Sequence, residues 1–246
     1  MISVFSAFFK SCVNTVLPPR CPVSGDIVDY DGMIAPQIWS GLDFITAPYC
    51  PKCGHPFDFK IQNDDIMCAR CADHPPPYDL ARSALRYGDV SRTVILRFKH
   101  ADQIHLVKSM VPWMISAGKD ALGGADYLVP VPLHYIRLIK RRYNQSAELV
   151  KELSKQTDVP MLLDAAIRTR ATPPQGSPQA ASRKRNVAKA FAVNEKRKAA
   201  IKGKHIVLID DVYTTGSTVG ECARALKEEG GAAKVSVLTV ARVVKD

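Results

Sequence analysis

The stretch HIVLIDDVYTTGSTVGECARALKEEGGAAKVSVLTVAR, residues 205–242, limits the possible folds more than any other part of the chain. HIVLIDD (205–211) and KVSVLTVAR (234–242) are almost continuously apolar, and a strand that does not alternate must be buried on both faces. Between them, TVGECARALKEEGG (218–231) has helical spacing and closes on glycine. Two such strands joined by a helix lie parallel, with helices covering the sheet.

The same alternation runs upstream. ARSALRY (81–87) reads as a strand, VSRTVILRFKH (90–100) and IHLVKSMVPWMISAGKDAL (104–122) show helical spacing, and 127–131 is a short strand ending in prolines. YNQSAELVKELSKQ (143–156) predicts a helix, LLDAAIR (162–168) another strand, and a short helical or extended piece follows to about 200. The expected class is therefore α/β with a parallel sheet, and no internal repeat is evident. HPPPY (74–78) closes a Cys-, Pro- and Gly-rich stretch, which divides the chain into an N-terminal amphipathic helix (1–20, stopped by Pro18 and Pro19), a small domain (21–77) and a larger one (78–246). With 246 residues, 46% of them hydrophobic, there is ample material for a core. No run is long enough for a membrane span, and the expected compartment is the cytoplasm.

Seven cysteines are present, and four of them form two C-x-x-C pairs, Cys50/Cys53 and Cys68/Cys71. Each pair makes a tight turn presenting two thiolates, and four thiolates complete a closed tetrahedral site, so one structural zinc is expected. A redox dithiol would need one pair rather than two. The small domain, with Trp39 and Tyr49 packing it, is too thin to stand without metal.

At the end of the strand 205–211, Asp210 and Asp211 precede a hydroxyl-rich turn. The hydroxyls of Thr214, Thr215, Ser217 and Thr218, the permissive backbone of Gly216 and the helix amides make a cup for a phosphate. Carboxylates repel phosphate but suit sugar hydroxyls or a carbon gaining positive charge. An isolated Asp-Asp would read first as helix-entry acids, with Thr and Ser as caps; the whole string reverses that preference. The full string VLIDDVYTTGST resembles the phosphoribosyl-diphosphate signature of type I phosphoribosyltransferases. That resemblance implies that Asp210 and Asp211 hold the ribose 2′ and 3′ hydroxyls, and that Thr214, Thr215, Gly216, Ser217 and Thr218 hold the 5′-phosphate.

The net charge is +10, and residues 168–204 carry eleven Lys/Arg against the single acid Glu195. Anionic ligands follow from that imbalance. Arg137, Lys140, Arg141 and Arg142 arrive just before the helix at 143–156, whose entry carries Asn144 and Gln145; they suit a diphosphate, or else form a solvated basic face. The long polar stretch 168–191 supplies Arg183, Arg185 and Asn186, at the place where type I phosphoribosyltransferases have a flexible loop; the alternative is a disordered basic linker.

PVPLHYIRLIKRRYNQ, the pieces Thr172, Gln175, Arg183, Arg185, Asn186 and AF at 190–191, and then VLIDDVYTTGST together resemble the ComF family of competence proteins. The resemblance implies a zinc ribbon ahead of a type I phosphoribosyltransferase-like domain, phosphoribosyl diphosphate bound with Mg²⁺, transfer to an unassigned acceptor under a hood formed by 90–122 and the ribbon, and a role in natural transformation. Many family members carry a second cysteine quartet nearer the N-terminus; here that place reads Cys21-Pro22-Val23-Ser24, so a single metal is expected. Two other readings stay open. One is a nucleotide-binding protein without turnover. The other is a single-stranded-DNA-binding module, whose affinity would be electrostatic because Phe191 is the only aromatic residue in 168–204.

Overall fold

The computed structural model describes residues 17–59, 65–99, 101–133, 143–169 and 190–244. Most of the expected N-terminal helix lies outside them. In chain order the elements are α1 (Pro36–Trp39), α2 (Ala69–Asp73), β1 (Leu80–Arg86), α3 (Asp89–Phe98), α4 (Val107–Ala117), α5 (Lys119–Leu122), β2 (Tyr127–Pro130), α6 (Gln145–Thr157), β3 (Ala166–Arg168), β4 (Phe191–Val193), α7 (Lys198–Ile201), β5 (His205–Tyr213), α8 (Ser217–Glu228) and β6 (Lys234–Arg242).

Four strands form a parallel sheet in the order β1-β6-β5-β2. The apolar run of β5 splits between its two faces, as a doubly covered strand requires. Val207 and Ile209 join Leu85, Phe98, Met110, Leu128, Leu149 and Leu238 on one side, while Ile206 and Leu208 join Val129, Val237, Val219 and Leu226 on the other. The helix read over 104–122 is interrupted: a 3₁₀ turn spans Ala101–Leu106, and α4 stops at Gly118, whose added Cβ would meet Leu238 at 2.6 Å.

The expected core strand at 162–168 is corrected. Only its start touches the sheet, where Leu162 N donates to Leu128 O at 2.9 Å. The chain then turns around Asp164, which receives Asn194 and Arg197. Residues 166–168 pair antiparallel with β4 in a separate two-stranded sheet. Asp164 in mid-run cannot be buried in a doubly covered strand, so the chain leaves the sheet there.

The N-terminal region contains a repeat that the sequence reading missed. Pro19-Arg20-Cys21-Pro22-Val23-Ser24-Gly25 and Pro48-Tyr49-Cys50-Pro51-Lys52-Cys53-Gly54 make the same hairpin. Cys21 N donates to Asp26 O, Gly25 N to Cys21 O and Val28 N to Pro19 O; correspondingly, Cys50 N donates to His55 O, Gly54 N to Cys50 O and Phe57 N to Pro48 O. A short helix follows each hairpin, with Ile38 N donating to Ala35 O in α1 and Cys71 N donating to Cys68 O in α2. These are two ribbons with one frame.

Both ribbons are fused to the larger unit. Cys21, Val23, Val28, Ile34, Ala35 and Leu42 of the first lie in one apolar cluster with Leu85, Val94 and Met110. The connecting segment adds an antiparallel edge to β1 through Ile45 N to Ala84 O, 2.9 Å, and Arg86 N to Asp43 O, 2.8 Å. The second ribbon is held by arginines of the sheet. Arg82 donates to Pro51 O at 3.0 Å and lies 4.7 Å over the Tyr49 ring, and Arg86 pairs with Asp58 at 2.7 Å. Trp39 packs tilted against Phe44 and edge-on to Trp113 but remains 49% exposed, so it covers a seam rather than filling a core.

Candidate ligand site and metal centre

The sequence places the end of β5 at Asp211, but the strand continues to Tyr213, because Asp210, Val212 and Tyr213 pair with Thr239, Ala241 and Arg242 of β6. The two acids thus sit on an extended backbone and, as neighbours on a strand, point to opposite faces. Asp210 accepts from Ser146 Oγ and from Asp211 N, each at 3.0 Å. Asp211 accepts from Lys99 Nζ at 3.0 Å. Desolvation, then the charge of Asp211, push the Asp210 carboxyl up to about 7 against the opposing pull of the Asp211 amide, Ser146 and Lys99.

Beyond Tyr213 the backbone turns at Gly216, which has φ 74° and caps α8. A Cβ there would meet Tyr213 Oη at 2.2 Å, so the turn is closed by a side chain as well as by its own dihedral. Thr215 Oγ1 and Ser217 Oγ lie 2.9 Å apart, and Ser217 N donates to Thr215 Oγ1 at 3.4 Å. Residues 214–218 are all half-exposed, and no carboxylate among them competes for their donors. Hydroxyls and first-turn amides beside a helix N-terminus suit an anion.

Asn144 caps α6, accepting from Ser146 N at 3.1 Å and donating to Val131 O at 3.2 Å, so it positions that helix rather than offering a ligand group. The segment carrying Arg137, Arg141 and Arg142 lies outside the described residues, but both its ends are fixed beside the acids. Val131 N donates to Ile209 O at 2.9 Å, and Tyr143 Oη donates to Phe98 O next to Lys99. Arg183, Arg185 and Asn186 also lie outside the described residues; there Thr169 N and Ala190 O, 2.9 Å apart, close the flanks. Lys99 and Ser146 escaped the sequence reading. They reach the acids from α3 and α6, and no local pattern marks them. An apolar cavity of about 960 Å³ lined by Trp39, Phe44, Tyr49 and Trp113 shares no residue with the acid pair or the loop.

In the second ribbon, the sulfurs of Cys50, Cys53, Cys68 and Cys71 all lie within 4.8 Å of one another, and Cys53 and Cys68 are 3.6 Å apart. Tetrahedral zinc with bonds near 2.3 Å needs sulfur separations of roughly 3.8 Å, so these residues fit the ion. The equivalent positions of the first ribbon are Cys21, Ser24, Ala35 and Ile38, a donor set that does not fit zinc. Burial alone would raise the Cys21 thiol, but hydrogen bonds from Ser24 and from the amides of Ala35 and Val23 outweigh it and hold it below its usual value. The Cys21 sulfur instead accepts from Val23 N and Ser24 N, each at 3.4 Å.

A doubly covered parallel sheet with paired acids and a hydroxyl-rich loop at the strand end, joined to a pair of ribbons, defines a phosphoribosyltransferase-type domain with a double zinc-ribbon domain ahead of it. The family model for the phosphoribosyl transferase domain matches residues 125–245, and that for the double zinc ribbon domain matches 12–73. The chain is 32% identical over 189 residues to DNA utilization protein YhgH of Escherichia coli K12, covering 75% of this chain and 80% of that one. It is 30% identical over 190 residues to competence protein F of Haemophilus influenzae, covering 75% and 81%, and 28% identical over 210 residues to competence protein ComFC of Bacillus subtilis, covering 82% and 81%. The chain belongs to this competence protein F (ComF) family. Among the described residues, no helix is long and apolar enough to cross a membrane.

Proposed function

We propose that the chain binds 5-phosphoribosyl diphosphate with Mg²⁺ at the carboxyl ends of β5 and β2 and transfers the phosphoribosyl group to an acceptor. The observation that carries this reading is the juxtaposition of the Asp210–Asp211 pair with the half-exposed hydroxyl loop 214–218. Carboxylates meet the ribose 2′ and 3′ hydroxyls, and the loop with the first turn of α8 meets the 5′-phosphate. Magnesium bound with the diphosphate would offset its charge, taking few ligands from the protein.

In the transfer, the acceptor's lone pair forms a bond to the anomeric carbon as the bond from that carbon to diphosphate breaks, with the electrons leaving on diphosphate. The ribose gains positive charge on the way, and the negative charge at Asp210 and Asp211 favours that state over the ground state. Lys99, paired with Asp211 at 3.0 Å, is a further proposed partner of the departing anion, with Arg137, Arg141, Arg142, Arg183, Arg185 and Asn186. The names of the relatives, DNA utilization and competence proteins, support a role in taking up or using DNA. The eleven Lys/Arg of 168–204 support contact with single-stranded DNA as a second reading.

The test is calorimetric titration of phosphoribosyl diphosphate with Mg²⁺ into the intact chain and into the Asp210→Asn, Asp211→Asn double variant. Saturable binding lost in the variant is expected, and diphosphate release on adding bases or amines would identify the acceptor. Equal heats in both proteins would remove the acids from the site. A chain that binds single-stranded DNA with a steep salt slope but ignores the diphosphate would instead favour the second reading.

A further inference from the structure

The zinc-fitting cluster and the anion loop touch through both cysteine pairs. Arg70, between Cys68 and Cys71 on α2, donates to the carbonyl of Thr215 at the crest of the loop. On the other pair, Cys53 O accepts from Arg242 Nη1 at 2.6 Å, and the same guanidinium lies 4.9 Å over the ring of Tyr213 at the loop's base. Tyr213 is buried, its hydroxyl is 2.7 Å from that of Tyr78, and it is the group that abuts Gly216. The two cysteine pairs therefore meet the segment 213–216 at Thr215, through Arg70, and at Tyr213, through Arg242.

We propose that the second ribbon is a positioning element for the anion loop, with Arg70 as its principal contact, so that the closed cysteine cluster sets the affinity for a 5′-phosphate. A loop of hydroxyls and amides binds phosphate well only when its donors already converge, because otherwise binding must order them. The Thr215 carbonyl is the group that must point away from the anion. Arg70 holds it there with a charged donor, and Arg242 and Tyr213 fix the backbone from which it turns. Cysteine ligation orders α2, whose five residues contain both Arg70 and Cys71 and are too few to be stable alone.

This inference rests on the reading of 214–218 as a phosphate loop, and two measurements separate the failure of one from the failure of the other. The first is titration of ribose 5-phosphate and, separately, of inorganic diphosphate with Mg²⁺ into the zinc-loaded chain and its Arg70→Met and Arg70→Lys variants. Loss of one exposed charged hydrogen bond should weaken ribose 5-phosphate roughly 3-fold in Arg70→Met. Arg70→Lys should recover part of that loss, diphosphate affinity should not change, and zinc content should stay at the wild-type value. The second is hydrogen exchange of the peptide covering 213–218, which needs no ligand. Faster exchange is expected in Arg70→Met, and faster still after chelation, when the Cys53 carbonyl also lets go of Arg242. If wild type binds no ribose 5-phosphate yet exchange accelerates, the phosphate reading falls and the brace stands. Unchanged exchange in Arg70→Met, or equal weakening of both anions, overturns the brace.

Discussion

Gly216→Ala puts a single methyl group at the point where strand, loop and buried tyrosine meet. Two costs follow from the geometry. At φ 74° an L residue is strained, and leaving the left-handed region would re-aim Ser217 and the first turn of α8; that strain is about 1 kcal/mol. The new Cβ would also lie 2.2 Å from Tyr213 Oη and 2.6 Å from its Cζ, so the ring must retreat by more than an ångström. Tyr213 cannot do this freely, since retreat breaks its contact with the Tyr78 hydroxyl and its stack under Arg242; together these are worth about 1–2 kcal/mol. The total is about 2–3 kcal/mol. Urea denaturation at an unchanged slope measures it, and the right control is Gly25→Ala, where φ is 84° and nothing lies within 4 Å of the added carbon. Gly25→Ala should lose only the strain, and Gly216→Ala at least about 1 kcal/mol more, together with most ribose 5-phosphate binding. Equal losses in the two variants would show that Tyr213 is not fixed, and the argument for a pre-shaped loop would collapse.

Three further outcomes are expected. Because the Asp210 carboxyl sits at about 7 against an ordinary 3.8, the folded chain keeps a proton that the unfolded chain has released, and stability from this group falls as pH rises from about 4 to about 7. Asp210→Asn, which can still accept from Ser146, should therefore raise stability by about 1–3 kcal/mol at pH 8 and change it little at pH 4 while abolishing ligand binding; thermal melts at both values check this. Ligand affinity in wild type should rise with pH through about 7 as Asp210 ionises, and in Lys99→Met, which removes a charge that lowers Asp210, that midpoint should move upward in titrations across pH 5–9. Elemental analysis should find one zinc per chain, and Ser24→Cys, Ala35→Cys, Ile38→Cys together should add a second equivalent with the absorption of a cobalt–thiolate complex; two equivalents in wild type would contradict the donor set of the first ribbon.

How much of this was legible depended on whether the signal was local. The strand at 234–242 was readable to the residue and the helix after the loop to within one residue at its start and three at its end, because apolar runs and a closing glycine are local facts. The end of β5 was misplaced by two residues, since adjacent acids look like a strand's end when the partner strand that carries pairing on to Tyr213 is out of view. The acids and the hydroxyl loop were visible as one string, whereas Lys99, Ser146, Arg70 and Arg242 reach the site from four other elements and carry no mark in their own neighbourhoods. Asp164 was the clue passed over at 162–168: a charge inside a run meant for a doubly covered strand is reason to end the strand.

The ribbons show why counting cysteines finds metal but not architecture. The frame Pro-x-Cys-Pro-x-x-Gly occurs twice, yet three of the four ligand positions in the first copy are Ser24, Ala35 and Ile38, so a search for thiols sees nothing to repeat. A zinc ion contributes on the order of 10 kcal/mol to a small ribbon. The first copy replaces that with burial: Cys21, Val23, Val28, Ile34, Ala35 and Leu42 are each under 9% exposed in a cluster shared with β1, α3 and α4, and side chains of this size contribute roughly 1–3 kcal/mol apiece. Such a substitution works only where a core is available to share. The second ribbon lies over the anion loop and the arginines of β1 and β6, polar surroundings that offer no such core; its buried cysteines form a cluster of their own. The metal is therefore expected where the fold must hold a polar loop in shape, and is dispensable where apolar packing closes the turn.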